Sequence, residues 1–185
     1  MQINLFKNGK ISSKSVTKVS ISLAIAALFV TVAFAGPNRV ERRIAFQGYL
    51  QGQETDVLQG APPEAIAVNG DVKGLATHLG QFTLTYKVTV KVPEGSAVGS
   101  AELISGNGDR IITSLVGQGE PTDTATPNLN SIVEIHLITG GTGQFANAKG
   151  SFTVKRLVDL ATATSFTSGS VQGRIAFPGP QRGDR

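Results

Sequence analysis

Glu134 and His136 stand two residues apart in Ser131 to Thr139, a run that is otherwise largely apolar. On a strand, residues i and i+2 share a face. A carboxylate and an imidazole side by side in an apolar enclosure are an acid–base pair, because burial and mutual charge move both groups towards neutrality. The same pair on an outward face is simply solvated, and the pattern alone leaves both readings open. Tyr86 is the other candidate. Inside a barrel its hydroxyl is placed to hydrogen-bond a ligand, and as an ordinary core aromatic it would keep that hydroxyl wet.

Few other chemistries are available. The chain has no cysteine and two histidines, His78 and His136. That removes thiol nucleophiles, thiolate zinc sites and histidine metal clusters. No GxSxG nucleophile elbow occurs, and no metal or cofactor is expected. Asp109 and Arg110 adjoin a turn, where such residues are common, and His78 beside a turn glycine is most simply at the surface. Arg182-Gly183-Asp184 matches an adhesion tripeptide, a chance match in a tail expected to be disordered.

The elements that would position these groups are strands. The clearest is Gln81 to Val92, where Phe82, Leu84, Tyr86, Val88, Val90 and Val92 alternate with Thr83, Thr85, Lys87, Thr89 and Lys91. Period-2 alternation marks a half-buried antiparallel strand. Further strands are expected over Val40 to Leu50, Ala65 to Val68 and Val72 to Thr77 around an Asn69-Gly70 hairpin turn. Val98 to Ser105 and Arg110 to Gly117 flank Gly106 to Asp109 as a second hairpin. Gly119 to Asn130 is expected as the longest loop. Ser131 to Thr139, Gly150 to Leu160 and Gly169 to Phe177 complete eight or nine strands, the pattern of a barrel or sandwich. Arg42 to Gly48 and Gly173 to Gly179 are alike, which fits first and last strands meeting in a closed barrel. Val133, Ile135 and Leu137 form a second apolar face on Ser131 to Thr139, so a subunit partner is expected there.

The amino-terminal segment has a basic part with Lys7, Lys10, Lys14 and Lys18, an apolar part ending in Ala33-Phe34-Ala35, and Gly36-Pro37 after it. This is the form of a signal peptide cleaved after Ala35. The expected organisation is a signal peptide over 1–35, a β domain over 36–178 and a disordered tail over 179–185, in a secreted or periplasmic protein without stable membrane insertion after cleavage. Four of the 17 basic residues and none of the 13 acidic ones lie in the leader, so the remainder balances at 13 and 13. A basic nucleic-acid-binding surface is therefore not expected.

Residues 139–152 read TGGTGQFANAKGSF. Lys149 precedes Gly150 where a phosphate-binding loop needs the reverse order, and the third glycine of a dinucleotide fingerprint is replaced by Ala146 with no helix to follow. The physical reading is a strand-to-strand connection. Gly140, Gly141 and Gly143 permit tight backbone, and Phe145 folds back to plug one end of the core. Ala146, Ala148 and Gly150 leave room for it.

This run resembles the GGTGxFxxAxG signature of the allene oxide cyclase and dirigent-like barrels, with the likeness covering about Ile132 to Ile175. The short exported form looks most like bacterial members. The resemblance implies a closed antiparallel eight-stranded β-barrel with a lumen, often assembled as a trimer. The motif is structural in those families, so it carries fold and no catalytic residue. The leading functional expectation is an exported barrel binding a small apolar molecule in its lumen without catalysis. The alternatives are a cofactor-free cyclase or isomerase of an unsaturated lipid- or polyketide-like substrate, and a structural or surface-interaction protein with a packed lumen.

Overall fold

A computed structural model describes residues 43–60, 63–92, 94–122, 128–160 and 164–177. The expected signal peptide and tail lie outside these residues.

Eight antiparallel strands follow in chain order: β1 (Arg43–Gly60), β2 (Pro63–Ala76), β3 (Gly80–Lys91), β4 (Ser96–Ser105), β5 (Arg110–Pro121), β6 (Leu129–Gly141), β7 (Lys149–Asp159) and β8 (Thr164–Ala176). Each pairs with its neighbours, and β1 pairs with β8, so the sheet is a closed barrel. Closure runs through the two similar terminal segments, with Ile44 opposite Ile175 and Ala45 opposite Arg174. A closed barrel has no edge strand to protect.

Alternation decides which side chains fill the interior. On β3, Phe82, Leu84, Tyr86 and Val88 are buried while Lys87 and Thr89 are exposed. On β6 the inward set is Glu134, His136 and Ile138, and Val133, Ile135 and Leu137 are exposed outside.

Two expectations about connections are corrected. Asn69-Gly70 is not a turn. It lies within β2, where Asn69 pairs with Thr55 on one side and Lys87 on the other. Gly70 has a packing reason instead: a Cβ there would meet the Tyr86 ring at 1.9 Å. The expected long loop is shorter, because β5 continues to Pro121 and β6 begins at Leu129. The Gly106 to Asp109 turn stands where expected, with Asp109 held by Asn107.

The glycine motif closes one barrel end. After β6 comes a single 3-10 turn, Gly143–Phe145, and Phe145 is fully buried. Its ring packs 5.5 Å from that of Phe177. Gly143 has φ +54, and a Cβ on it would run into the Asp109 carboxylate. Asp109 in turn accepts from the Gln144 backbone N–H at 3.1 Å, tying this turn to the β4–β5 hairpin. His78, exposed at φ +65, sits edge-on to Phe177 at the same end.

Candidate functional site

The lumen is divided lengthwise. Towards the plugged end it is solid: Phe46, Phe152, Leu103, Ile111 and Ile175 are each at most 2 % exposed. Above them comes a polar layer, and beyond that a cavity of about 260 Å³.

Arg156 organises the polar layer from β7, on the same inward face as Phe152, Val154 and Val158. Its Nη2 donates to Glu134 Oε1 at 2.9 Å and its Nε to Glu134 Oε2 at 3.2 Å. This is a two-point grip on one carboxylate, the strong geometry for such pairs. Arg156 Nη1 donates to Glu54 Oε2 at 2.5 Å and to Thr167 Oγ1 at 3.3 Å. The Tyr86 hydroxyl donates to the same Glu54 oxygen at 2.5 Å. The guanidinium also lies over the Tyr86 ring, 5.1 Å from its centre. Five strands thus converge on one cluster.

His136 sits on the solid side of this layer. It is 1 % exposed and stacks on Phe152 at 4.7 Å. Thr113 Oγ1 lies 3.1 Å from His136 Nδ1 and donates to the Ala101 carbonyl at 3.3 Å. The imidazole tautomer sets which of Thr113 Oγ1 and His136 Nδ1 donates across that contact. His136 Nε2 lies 3.8 Å from Glu134 Oε2 and has no hydrogen-bond partner among the described residues.

The electrostatics divide the acids. Burial pushes Glu134 up, but the adjoining His136 imidazole and the charge and hydrogen bonds of Arg156 outweigh it and hold its carboxyl at about 2. Glu54 is raised above its ordinary value, since burial outweighs Arg156 and the Tyr86 hydroxyl. Burial also raises Asp56, against the Ser165 hydroxyl and Arg156. Tyr86 is pushed up, by burial first, and stays a neutral donor.

The cavity begins at this layer. Glu54, Asp56, Glu134 and Arg156 line it at one end, and Ile66, Val68, Val88, Val90, Ile132 and Val158 make apolar walls. At about 30 Å³ per water-sized unit, the space holds roughly nine non-hydrogen atoms. Asp56 is the least satisfied of its polar groups. Its Oδ2 accepts from Ser165 Oγ at 3.2 Å, while its Oδ1 is buried with no hydrogen-bond partner among the described residues. Such a group costs about 1–3 kcal/mol.

The candidates from sequence are therefore brought together. Glu134 and His136 face inward, so the outward, solvated alternative is excluded by their burial. Tyr86 also faces inward, and its hydroxyl is bound to Glu54, not wet. Glu54, Asp56 and Arg156 escaped the sequence reading. Their signal was there: charged residues at inward positions of alternating strands. Arg156 falls in step with Phe152 and Val154, and Glu54 and Asp56 with Phe46 and Leu50. Gly140, Gly141, Gly143, Phe145, Ala148 and Gly150 belong to the closed end, away from this site. Among the described residues no cluster of three or more acidic, His or Cys groups is arranged to hold a metal ion. No described helix is long and apolar enough to cross a membrane.

No family model and no curated protein matches the chain. Among solved structures, that of a pterocarpan synthase dirigent protein aligns with 74 % of this chain and 92 % of its own length, at 14 % identity and a TM-score of 0.45. The barrel assignment rests on the strand pairing and not on that likeness.

Proposed function

We propose that this protein binds a small, mainly apolar molecule in the unfilled half of its lumen and holds it there without covalent chemistry. One observation carries the reading. The barrel fills one half of its interior with buried aromatic and aliphatic side chains yet leaves about 260 Å³ in the other, walled by valine and isoleucine. Eight-stranded barrels are narrow enough for side chains to fill completely. Ala97, buried on β4 against this space, is small where a larger apolar residue would close it.

The test is native mass spectrometry of the protein purified from its own host, beside an Ala97→Phe variant. A mass excess that leaves on denaturation, and is absent from the variant, is the expected result. A clean apo mass for both, together with no uptake of added small apolar molecules, would transfer the weight to a structural role.

A second reading is favoured by the raised carboxyls of Glu54 and Asp56. Carboxylic acids that keep their protons nearer neutrality can donate one to a bound unsaturated substrate. On that reading the barrel is a cofactor-free cyclase or isomerase. Time-resolved product analysis on whatever ligand co-purifies separates the two: an unchanged ligand supports binding alone. Export through the amino-terminal leader, with cleavage after Ala35, belongs to the same proposal. The amino-terminal sequence of the protein from its host tests it. The exposed Val116, Val133, Ile135 and Leu137 on β5 and β6 are where we place a subunit contact, with the mass of the native particle as the check.

A further inference from the structure

The polar end of the cavity has a definite sign. Three carboxyl groups line it, from Glu54, Asp56 and Glu134, against one guanidinium, Arg156. That guanidinium is already committed, holding Glu134 through two nitrogens and Glu54 through a third. It has little to offer an incoming anion. Lys91 also lines the cavity, but it is exposed at the end of β3, on the outward face with Lys87 and Thr89. His136 lies behind Glu134, stacked on Phe152, and does not line the space.

The hydrogen-bond inventory points the same way. Glu54 Oε2 receives Tyr86 and Arg156, and Glu134 receives Arg156 on both oxygens. Asp56 receives one hydroxyl, from Ser165, and its second oxygen has no partner among the described residues. The deficit at this end of the cavity is in donors. A ligand complements it by bringing one.

Resting on the lumen-binding reading above, we propose that the cavity selects molecules with an apolar body and a hydrogen-bond donor at one end, a hydroxyl or an ammonium group, which Asp56 receives. Molecules ending in a carboxylate are turned away. A free fatty acid, the simplest apolar metabolite with a head group, is thereby a poor occupant. Its charge would be desolvated beside Asp56 and Glu54, where the one guanidinium is already committed. An apolar pocket with a few placed polar groups is the usual form of a specific small-molecule site.

Four phenyl compounds of about the cavity's capacity, roughly nine non-hydrogen atoms, separate the possibilities by titration calorimetry on the purified protein. They are 2-phenylethanol, phenethylamine, ethylbenzene and phenylacetate. The two donors should bind about 10-fold or more tighter than ethylbenzene, the ordinary worth of a hydrogen bond to a carboxylate, and phenylacetate should not bind. The amine should bind at least as tightly as the alcohol, because an ionised Asp56 is the partner that lacks a donor; uptake of the alcohol with refusal of the amine would mean that Asp56 carries its own proton, and would overturn the donor rule. Asp56→Asn should erase the donors' advantage and admit phenylacetate. Should that variant fail to fold, the four-compound series on the unaltered protein still decides. Equal binding of all four, or preference for phenylacetate, overturns the donor rule while leaving lumen binding intact. Uptake of none overturns the lumen-binding reading and this inference with it.

Discussion

The two halves of the lumen are built from the same strands but by different rules. Near the glycine motif the inward positions carry Phe46 and Phe152, with Phe145 folded in from the 3-10 turn, and all three are buried. Towards the other end the inward positions of those strands carry Val68, Val88, Val158 and Ala97, which are too small to meet across the barrel. The polar layer of Glu54, Arg156, Glu134 and Tyr86 lies between them. Aromatic volume holds one half, and the other half has hydrophobic walls without hydrophobic contents. The first half makes the barrel stable; the second is spare capacity that stability alone does not require. A buried ion cluster between them is weak evidence for stability, because apolar replacements of equal volume are often neutral. Its position, facing the cavity on one side, fits a role towards the contents.

Breaking the boundary has the largest expected effect. Arg156→Ala strands Glu54 and Glu134 in the interior without their cation, and removing one member of a buried pair costs about 3–5 kcal/mol. Urea unfolding should show the loss as a lowered midpoint. Arg156→Met with Glu54→Gln and Glu134→Gln removes the charges together and should recover much of that stability. Failure to recover would mean the cluster contributes more than charge balance. On the packed side, Phe152→Ala empties a site touching both Phe46 and His136. Its cost should be similar, about 3–5 kcal/mol.

Acid sharpens the comparison without disturbing the packing. Glu134 titrates near 2 in the fold against an ordinary 4.5, because His136 and Arg156 outweigh its burial. Between those values the unfolded chain binds more protons than the fold. Glu134 therefore contributes stability that is present above about pH 4.5 and is lost as pH falls towards 2. Glu54 and Asp56 are raised, so the fold holds their protons longer, and each weakens the fold as pH rises through the interval above its ordinary value. Urea midpoints measured from pH 2 to 8 should rise through the acid range and then slope downwards. Glu134→Gln should flatten the acid limb, and Asp56→Asn should reduce the later decline. A profile with no acid limb would contradict the Arg156–Glu134 grip.

Much of the barrel was legible in the chain because the physics that selects it is local. Alternation over Gln81 to Val92 follows from a sheet with one wet face, and β3 carries it out with Phe82 to Val88 inside. The terminal likeness, with Ile44 and Ile175 now found opposite each other, was a true sign of closure. Asn69-Gly70 misled, because a glycine that makes room for Tyr86 has the same sequence signature as one that makes a turn. The site was half legible. Glu134 and His136 stood out by being adjacent on one strand, whereas Glu54 and Arg156 lie 102 positions apart and meet only through closure. No period within a strand says which charges from other strands will share its layer.

The smallest expected effect tests the spare capacity directly. Val88 on β3 is 5 % exposed and lines the cavity, while Val154 on β7 is 1 % exposed and is packed in the core without touching it. Truncating either to alanine removes the same atoms, about 1.5 kcal/mol of transfer free energy at ~0.8 per methylene-sized group. The two differ in what the deletion leaves behind. At Val154 it opens a new hole in close-packed surroundings, which adds to the transfer cost. At Val88 it only enlarges a space already present, and fewer contacts are forfeited. Val154→Ala should therefore be the more destabilising by roughly 1 kcal/mol, read as the difference in urea midpoints at equal slope. Equal losses would mean that the upper half is filled in solution by something that packs against Val88 as tightly as Phe152 packs below. Repeating the pair on protein stripped of co-purified ligand would then restore the difference if a bound molecule is what fills it.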